Sequence, residues 1–470
     1  MDRVDLAVIG AGPAGMAAAT TAATAGLSVV VLDEQPGAGG QVYRAIDADG
    51  TARGDILGKD YLDGVALAQA LNTSTARHER GAAVWDIAPQ EAGFVITYSL
   101  NGNPAQVMAR RLVLATGALE RPVPIPGWTL PGVMSAGAGQ ILLKASGLVA
   151  ARAVLAGNGP LLYLLAVQMA RAGAPPVAIV ETQSWRDQLG AAPKLWGGLR
   201  GWRTLIKGLG LLAELRRHRI KRITGARDLA VIGTARTEGL RFTAKGQSAD
   251  IACDTVLLHQ GVVPNTQVSR ALGLAHDWHD GQRAFVPRTD IWGESSQSGV
   301  FIVGDGAGIA GAKAAVPAGE LAALQIAHLS GALDIAVRDA KARGPRNLLE
   351  AERSLRPFLE AAYPVAAQVL APEDATLVCR CEEVSAGDVR KWAALGCKGP
   401  NQTKAFGRVG MGPCQGRYCG LTVTELLACS HDLPQSEIGA YRIRMPLKPV
   451  TLGELAALEG NSDARQDAAE

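Results

Sequence analysis

The chain has 470 residues, 48% of them apolar, with 56 glycines, seven cysteines and a formal net charge of +3. That length suits roughly three domains, each able to bury its own core, and so small a net charge gives no support to nucleic-acid binding. No apolar run approaches the ~18 residues of a membrane span, and Cys253, Cys397 and Cys429 are too scattered to be a secreted disulfide framework.

The first predicted element is a buried strand, Val4 to Ile9, which begins too early to leave room for a signal peptide, so a reducing, cytoplasmic location is expected. Gly10-Ala11-Gly12-Pro13-Ala14-Gly15 follows, a G-x-G-x-x-G between that strand and an Ala-rich helix from Met16 to Ala25. Gly10 permits the tight turn, Gly12 admits a pyrophosphate close to the backbone, and Gly15 lets helix and strand pack closely. The helix N-terminus, with Pro13 and Ala14, then faces the phosphates. A second strand, Ser28 to Leu32, ends in Asp33-Glu34, where an acid binds ribose hydroxyls; Glu34 is the first choice and Asp33 the second. Gly39-Gly40-Gln41-Val42 comes next, with Gly40 and Gln41 expected to touch the same cofactor.

Arg111 to Ala118 is a strand ending in Ala-Thr116-Gly117, and Gly299 to Asp305 is a strand ending in Gly304-Asp305. Between them lies a second nucleotide-type unit. It has a strand Ala153–Ala156, then Gly157-Asn158-Gly159-Pro160-Leu161-Leu162, a helix to Ala172 and a strand Val177–Val180 ending in Glu181. Glu181 is placed to accept a ribose, but Leu162 stands where the third glycine belongs, and its bulk forces helix and strand apart. From Lys194 to Arg222 nine Lys/Arg face Glu214 alone, interleaved with tryptophans. Such a segment suits a membrane surface or an acidic partner, or a domain helix with a solvated basic face. His259 follows the strand Val256–Leu258 and reads as a structural histidine. The stretch Arg343-Gly344-Pro345-Arg346 reads as a polar connection before a helical segment, Leu348 to Tyr363.

Four cysteines then fall as C-x-C, thirty-two residues, and C-x4-C: Cys379, Cys381, Cys414 and Cys419. Four converging thiolates hold either an iron–sulfur cluster or a structural zinc. The tight C-x-C and the crowding of Gly410, Gly412, Gly416 and Gly420, which bring backbone N–H groups close to sulfur, favour a [2Fe–2S] cluster. The module should hold a helix from Ala386 to Leu395 and another opened by Pro400. Tyr441 to Thr451 reads as an extended arm, and Asn461 to Glu470 as disordered.

The G-x-G-x-x-G, A-T-G and G-D trio resembles the two-dinucleotide-fold flavoprotein superfamily of glutathione and thioredoxin reductases, over roughly residues 1–330. That resemblance implies FAD, with Asp305 on its ribityl chain, and NAD(P)H in the second domain. The redox thiols of the disulfide reductases are absent after the ribose acid, so disulfide reduction is not expected. Cys379-Arg380-Cys381-Glu382-Glu383-Val384, Asn401-Gln402-x-Lys404, and Gly410 through Cys419 resemble the bacterioferritin-associated-ferredoxin-like [2Fe–2S] domain. More narrowly they resemble that domain fused to the flavoprotein α subunits of multisubunit amine dehydrogenases, namely the opine oxidase, D-hydroxyproline dehydrogenase, hydrogen cyanide synthase and dye-linked L-proline dehydrogenase family. The tail Arg442-Ile443-Arg444-Met445-Pro446-Leu447-Lys448-Pro449-Val450-Thr451 is similar too.

The resemblance implies an α/β fold: a glutathione-reductase-like pair of dinucleotide domains fused to a small, mainly helical [2Fe–2S] domain. The expected division is an FAD domain over 1–122 plus 285–335, a second nucleotide domain with a degraded fingerprint over 123–284, a helical linker over 336–370, the cluster domain over 371–435, and an arm and tail over 436–470. It also implies a separate, FAD-containing β subunit that oxidises the C–N bond of an amino acid, imino acid or opine. A small ferredoxin-like third subunit belongs to some members. FMN at a subunit interface and NAD(P) or ATP in the second domain stay open, as do quinone as acceptor and peripheral membrane contact. This chain would relay electrons through flavin and cluster and carry no substrate-oxidising residues of its own. The rivals are a self-sufficient NAD(P)H-dependent flavin and iron–sulfur reductase, and a scaffold holding a structural nucleotide and zinc.

Overall fold

The computed structural model describes residues 1–47, 50–198 and 201–458. Its first sheet is centred on five parallel strands in the order Arg77–Arg80, Val29–Asp33, Asp2–Ile9, Asn103–Leu114, Val300–Ile302. Both faces of such a sheet are covered, which requires strands apolar throughout: Leu6, Ala7, Val8, Val30 and Val31 are all fully buried. The long strand Asn103–Leu114 also closes an antiparallel meander with Gly93–Leu100 and Ala83–Gln90. Helix Pro13–Thr24 has proline in its first turn and alanines along its buried face. Those small side chains let it lie close to helix Ala312–Leu329, and at Gly319 a Cβ would stand 2.1 Å from the Ala14 carbonyl oxygen.

The second unit repeats the design. Five parallel strands run in the order Arg222–Ile223, Ala178–Glu181, Ala153–Asn158, Thr255–Gln260, Val133–Ser135, and a meander is formed by Arg227–Ile232, Gly239–Ala244 and Gln247–Ala252. The chain crosses between the two sheets along Ala118–Glu120 and returns along Val262–Pro264, and these crossings pair antiparallel. The two-dinucleotide-domain architecture expected from the sequence is therefore present. The two meanders are not legible as nucleotide motifs, because their alternating strands carry no glycine fingerprint.

Helix Trp202–Arg217 forms most of the basic segment, and helix Trp185–Ala191 precedes it. Leu211, Leu212 and Leu215 face the second core, while Trp196 and Leu209 are 80% and 67% exposed. Leu199 and Arg200 of that segment, and the tail beyond residue 458, lie outside the described residues. No helix of the described residues is long and apolar enough to cross a membrane.

The expected break at Arg343–Arg346 is a correction. A single helix, Ile335–Ser354, runs through Gly344 and Pro345. Its packing supplies what local propensity lacks: Ala342 is fully buried, and the Arg338 and Arg346 guanidinium groups stack on the Trp292 ring at 4.5 and 4.2 Å. A shorter helix, Arg356–Ala362, leads to the cysteine-bearing part, with a two-stranded ladder (Leu377–Cys379, Val384–Ser385) and helices Ala386–Ala394, Pro400–Gly407 and Gly420–His431. The first of these helices starts on a Ser385–Asp388 capping box.

This part is keyed onto the crossings between the sheets. Trp128 Nε1 donates to the Leu377 carbonyl at 2.7 Å, and Arg380 lies over the Trp128 ring. Arg283 forks onto buried Glu425. Beside it, buried Arg121 donates to the carbonyls of Gln282 and Arg283 at 2.6 and 3.1 Å, and burial lowers its pKa to about 10. Glu425→Ala would leave two guanidinium groups short of their counter-charge. It is expected to lower unfolding stability by about 3 kcal/mol, read as a shift in a denaturant titration.

Candidate cofactor sites

The first groove is built by glycines with separate jobs. At Gly10, with φ of +103°, a Cβ would stand 2.6 Å from the Ala115 carbonyl oxygen, and at Gly15 it would stand 1.9 Å from the Gly10 carbonyl oxygen. These two serve the close approach of chain to chain. At Gly12 an added Cβ meets only the Gly40 Cα, at 3.9 Å. The open space therefore lies where a phosphate must approach the start of helix Pro13–Thr24, with Ala14 buried beneath it. Gly40 folds over this loop and could not carry a side chain, since its Cβ would sit 2.9 Å from the Gly12 Cα.

Asp33 and Glu34 divide the two roles the sequence left between them. Asp33 is buried, and its carboxylate accepts from the backbone N–H of Ala11 and of Gln35. It fixes the glycine loop. Glu34 is half exposed and pairs with Lys448 from the far end of the chain. Asp305 uses Oδ1 to accept from the N–H groups of Ala310 and Gly311, at 2.9 and 2.8 Å, ahead of helix Ala312–Leu329. Gly304 packs on Ala14, and a Cβ there would lie 2.9 Å from the Ala14 Cβ. Thr116 donates to the Asn265 carbonyl, and Asn265 N–H returns to Gly117. The A-T-G segment thus meets the return turn Gly261–Asn265, and Gly306 of the G-D segment lies against Thr116 and Gly117.

Gln41 follows Gly40 in the loop over the glycine turn, and its neighbour Lys144 is not legible in the sequence. Lys144, buried on helix Ala136–Ser146 of the second unit, donates to the carbonyls of Gln41 and Val42 and to Gln140 Oε1, at 3.1, 2.8 and 3.0 Å. Burial pulls its pKa down to about 7, and the nearby Arg44 acts the same way. Three acceptors around one ammonium nevertheless match its protonated form. Lys144 ties the second unit to the loop that carries redox thiols in disulfide reductases.

The second groove is different. Glu181, expected to meet a ribose, is fully buried. It accepts from the Tyr163 hydroxyl, from Gln183 Nε2 at 2.6 Å, and from both arms of Arg222 at 2.9 and 3.0 Å. Leu162 is fully buried too, filling the space a third glycine would leave. Asn158, between Gly157 and Gly159, donates through its side chain to the Pro364 carbonyl, and Ala366 N–H donates to Gln260 Oε1 at 3.0 Å. The Tyr363 ring stands edge-on to Tyr163. Residues 363–366 of the chain itself therefore lie across the strand ends where a nucleotide would enter. The physical reason for Glu181's diversion is this packing: a carboxylate taken out of water needs all its acceptor sites filled, and Tyr163 and Arg222 fill them. His259 is structural as expected, with Nδ1 2.6 Å from Glu120 Oε1.

The four cysteines come together as two pairs. Cys381 and Cys414 place their sulfurs 3.8 Å apart, and the Cys379 and Cys419 thiols are hydrogen-bonded to each other. The Cys419 thiol, then backbone N–H groups of Gly410, Glu382 and Cys381, bring Cys379 down to about pKa 6 against the effect of burial. The shift is towards the thiolate, the form that binds metal. Its partner Cys419 is pushed well up, by that same bond and by burial. Among the described residues no three His, Cys, Asp or Glu side chains gather where they could hold a single metal ion. Two pairs suit a centre with two metals, each taking two thiolates.

The glycines around them need a different explanation from the one the sequence suggests. A Cβ at Gly410 or Gly416 would strike the Tyr441 ring at 2.5 or 2.3 Å, and one at Gly420 would press on it at 3.3 Å; at Gly412 it would strike Cys381 at 2.3 Å. Three of the four glycines make room for a buried aromatic from the arm, and Gly410 also donates its N–H to the Cys379 sulfur. Tyr441, like Lys144, carries no local signal that marks it in the sequence.

Residues 4–192 and 208–327 match the pyridine nucleotide-disulphide oxidoreductase family model. The chain belongs to that family and is an FAD-dependent oxidoreductase. Residues 373–459 match the sarcosine oxidase A3 domain. An opine oxidase subunit of Agrobacterium tumefaciens is 44% identical over 97% of this chain and 92% of its own length. The hydrogen cyanide synthase subunit HcnB of Pseudomonas protegens is 32% identical over 94% of this chain and 95% of its own. In fold, the chain superposes on the crystal structure of L-proline dehydrogenase from P. horikoshii with a TM-score of 0.69, at 18% identity, covering 97% of this chain and 80% of that one.

Gly12→Val should fill the phosphate approach and leave the chain packing intact: the protein is expected to fold and purify without flavin absorbance. Gly15→Val should lose flavin and fold together, because its side chain meets backbone. Thermal melting of both variants separates the two outcomes. With the second groove covered by residues 363–366, NADH should leave the flavin oxidised in anaerobic stopped flow; rapid bleaching would show that the groove opens.

Proposed function

We propose that this chain is the electron-transfer flavoprotein subunit of a multisubunit dehydrogenase that oxidises the C–N bond of an amino acid, imino acid or opine. The observation that carries the proposal is the pair of thiol pairs, Cys379/Cys419 and Cys381/Cys414, docked on a chain whose first groove is built for a dinucleotide and whose second is covered. We assign FAD to the first groove and a [2Fe–2S] cluster to the four cysteines. When bound, flavin exchanges electrons in pairs and singly, and a two-iron cluster exchanges them singly.

The residues of this chain hold and orient. Gly12 and the first turn of helix Pro13–Thr24 would receive the pyrophosphate, and Glu34 the adenosine ribose. Asp305, its Oδ1 taken by two N–H groups, would be left to meet the ribityl hydroxyls with Oδ2. The backbone donors around Cys379 stabilise a thiolate, which raises metal affinity at neutral pH. The substrate site is assigned to a partner subunit with its own FAD, and the acceptor to a quinone or another one-electron carrier. The relatives' names as subunits support the assembly.

In the assembled complex, Cys414→Ser is expected to remove the cluster spectrum and to stop electron delivery to the acceptor. Reduction of the partner's flavin by substrate should survive. Loss of that first reduction in a complex that still assembles would contradict the relay assignment.

A further inference from the structure

The arm that leaves the cysteine module does not end on it. Two side-chain amides hold its backbone. Asn401 donates to the Ala440 carbonyl at 3.2 Å and accepts from Arg442 N–H at 2.8 Å. Gln415, the residue after Cys414, accepts from Arg444 N–H at 3.2 Å and donates to the Pro446 carbonyl at 2.7 Å. Tyr441 lies between these anchors, buried under the glycines of the cysteine loop. One residue beyond Pro446 the arm changes hosts: Leu447 N–H donates to the Trp85 carbonyl, at 2.7 Å, in the meander of the first unit. Lys448 then places Nζ on Glu34 Oε2, with its own side chain 34% exposed.

We propose that Lys448 is a residue of the FAD site, supplied by the arm of the cysteine module to the adenosine end of the first groove. The inference rests on FAD being the occupant of that groove. Its basis is charge. Strand Val29–Asp33 ends in two successive carboxylates, Asp33 and Glu34, and the pyrophosphate of a dinucleotide brings two more negative charges to the same loop. Asp33 is committed to the N–H groups of Ala11 and Gln35, so only Glu34 can turn to a ribose. Lys448 is the cation ion-paired to Glu34, and it feels the charge of Asp33 as well. Arg44 also lies near Asp33, but without Lys448 Glu34 loses its ion-pair partner and an anionic cofactor meets its bare carboxylate, which disfavours binding.

A second consequence follows by linkage. If the arm strengthens FAD binding, bound FAD must hold the arm in place by the same factor. Gln415 grips the arm immediately beside Cys414, so the tie reaches from the adenosine end of one cofactor to a ligand of the other.

The test uses the full-length chain, freed of flavin and titrated with FAD while protein fluorescence is followed, for wild type, Lys448→Met and Lys448→Arg. Hydrogen exchange of residues 441–450 is measured with and without FAD. Lys448→Met is expected to weaken FAD binding roughly tenfold with unchanged far-ultraviolet circular dichroism, and Lys448→Arg to restore most of it. FAD should slow exchange along the arm of wild type and do so less in Lys448→Met. Equal FAD affinity in wild type and Lys448→Met would reduce the contact to a surface ion pair that braces the arm and would overturn the proposal. An arm whose exchange ignores FAD in wild type would overturn it as well. A wild-type chain that binds no FAD would overturn both this proposal and the assignment of the first groove.

Discussion

The contact on which the arrangement turns is the seating of residues 363–366 on the second sheet. Asn158 reads the Pro364 carbonyl, Gln260 reads Ala366 N–H, and Gln368 makes a reciprocal pair with Leu229. The bonds of Asn158 and Gln260 lie at the strand ends, the place where an open parallel sheet ordinarily receives its ligand. The chain has put its own backbone there. One set of bonds thereby lays residues 363–366 across the place where a nucleotide would enter and fixes where the following module emerges, in reach of Trp128, Arg121 and Arg283.

The same economy appears at the other end of the module. Tyr441 is buried in the cysteine loop by three glycines, and six residues later the arm is already bonded to the first unit through Leu447 and Trp85. Lys144 adds a third tie, from the second unit to the loop at Gln41 and Val42. Electron transfer between fixed centres gains from such bracing, because a rigid frame holds donor and acceptor at a constant separation. Disulfide reductases of the same architecture use that loop for thiols; here Gln41 and Val42 offer carbonyls to a lysine.

What was legible in the sequence was whatever chemistry acts over a few residues. Gly10, Gly12 and Gly15 are set by the geometry of one turn, so their pattern survives in the bare chain. The four cysteines announce themselves because thiolate pairs at such spacing have few uses. Glu181 misled, since its position after a strand is local while its partners Tyr163 and Arg222 arrive from elsewhere in the fold. The glycines near Cys414 misled in the same way: their spacing suggests backbone donors for sulfur, and the reason for three of them is a tyrosine more than twenty residues further on. Helix Ile335–Ser354 crosses a Gly-Pro pair because Trp292 and the neighbouring helix outweigh local propensity.

The most direct measurement of the central claim is the metal and sulfide content of the anaerobically purified full-length chain, with electron paramagnetic resonance after chemical reduction. A relay built on the two thiol pairs predicts about two irons and two acid-labile sulfides per chain and a one-electron paramagnetic signal on reduction. One zinc per chain, no sulfide and no signal would contradict it.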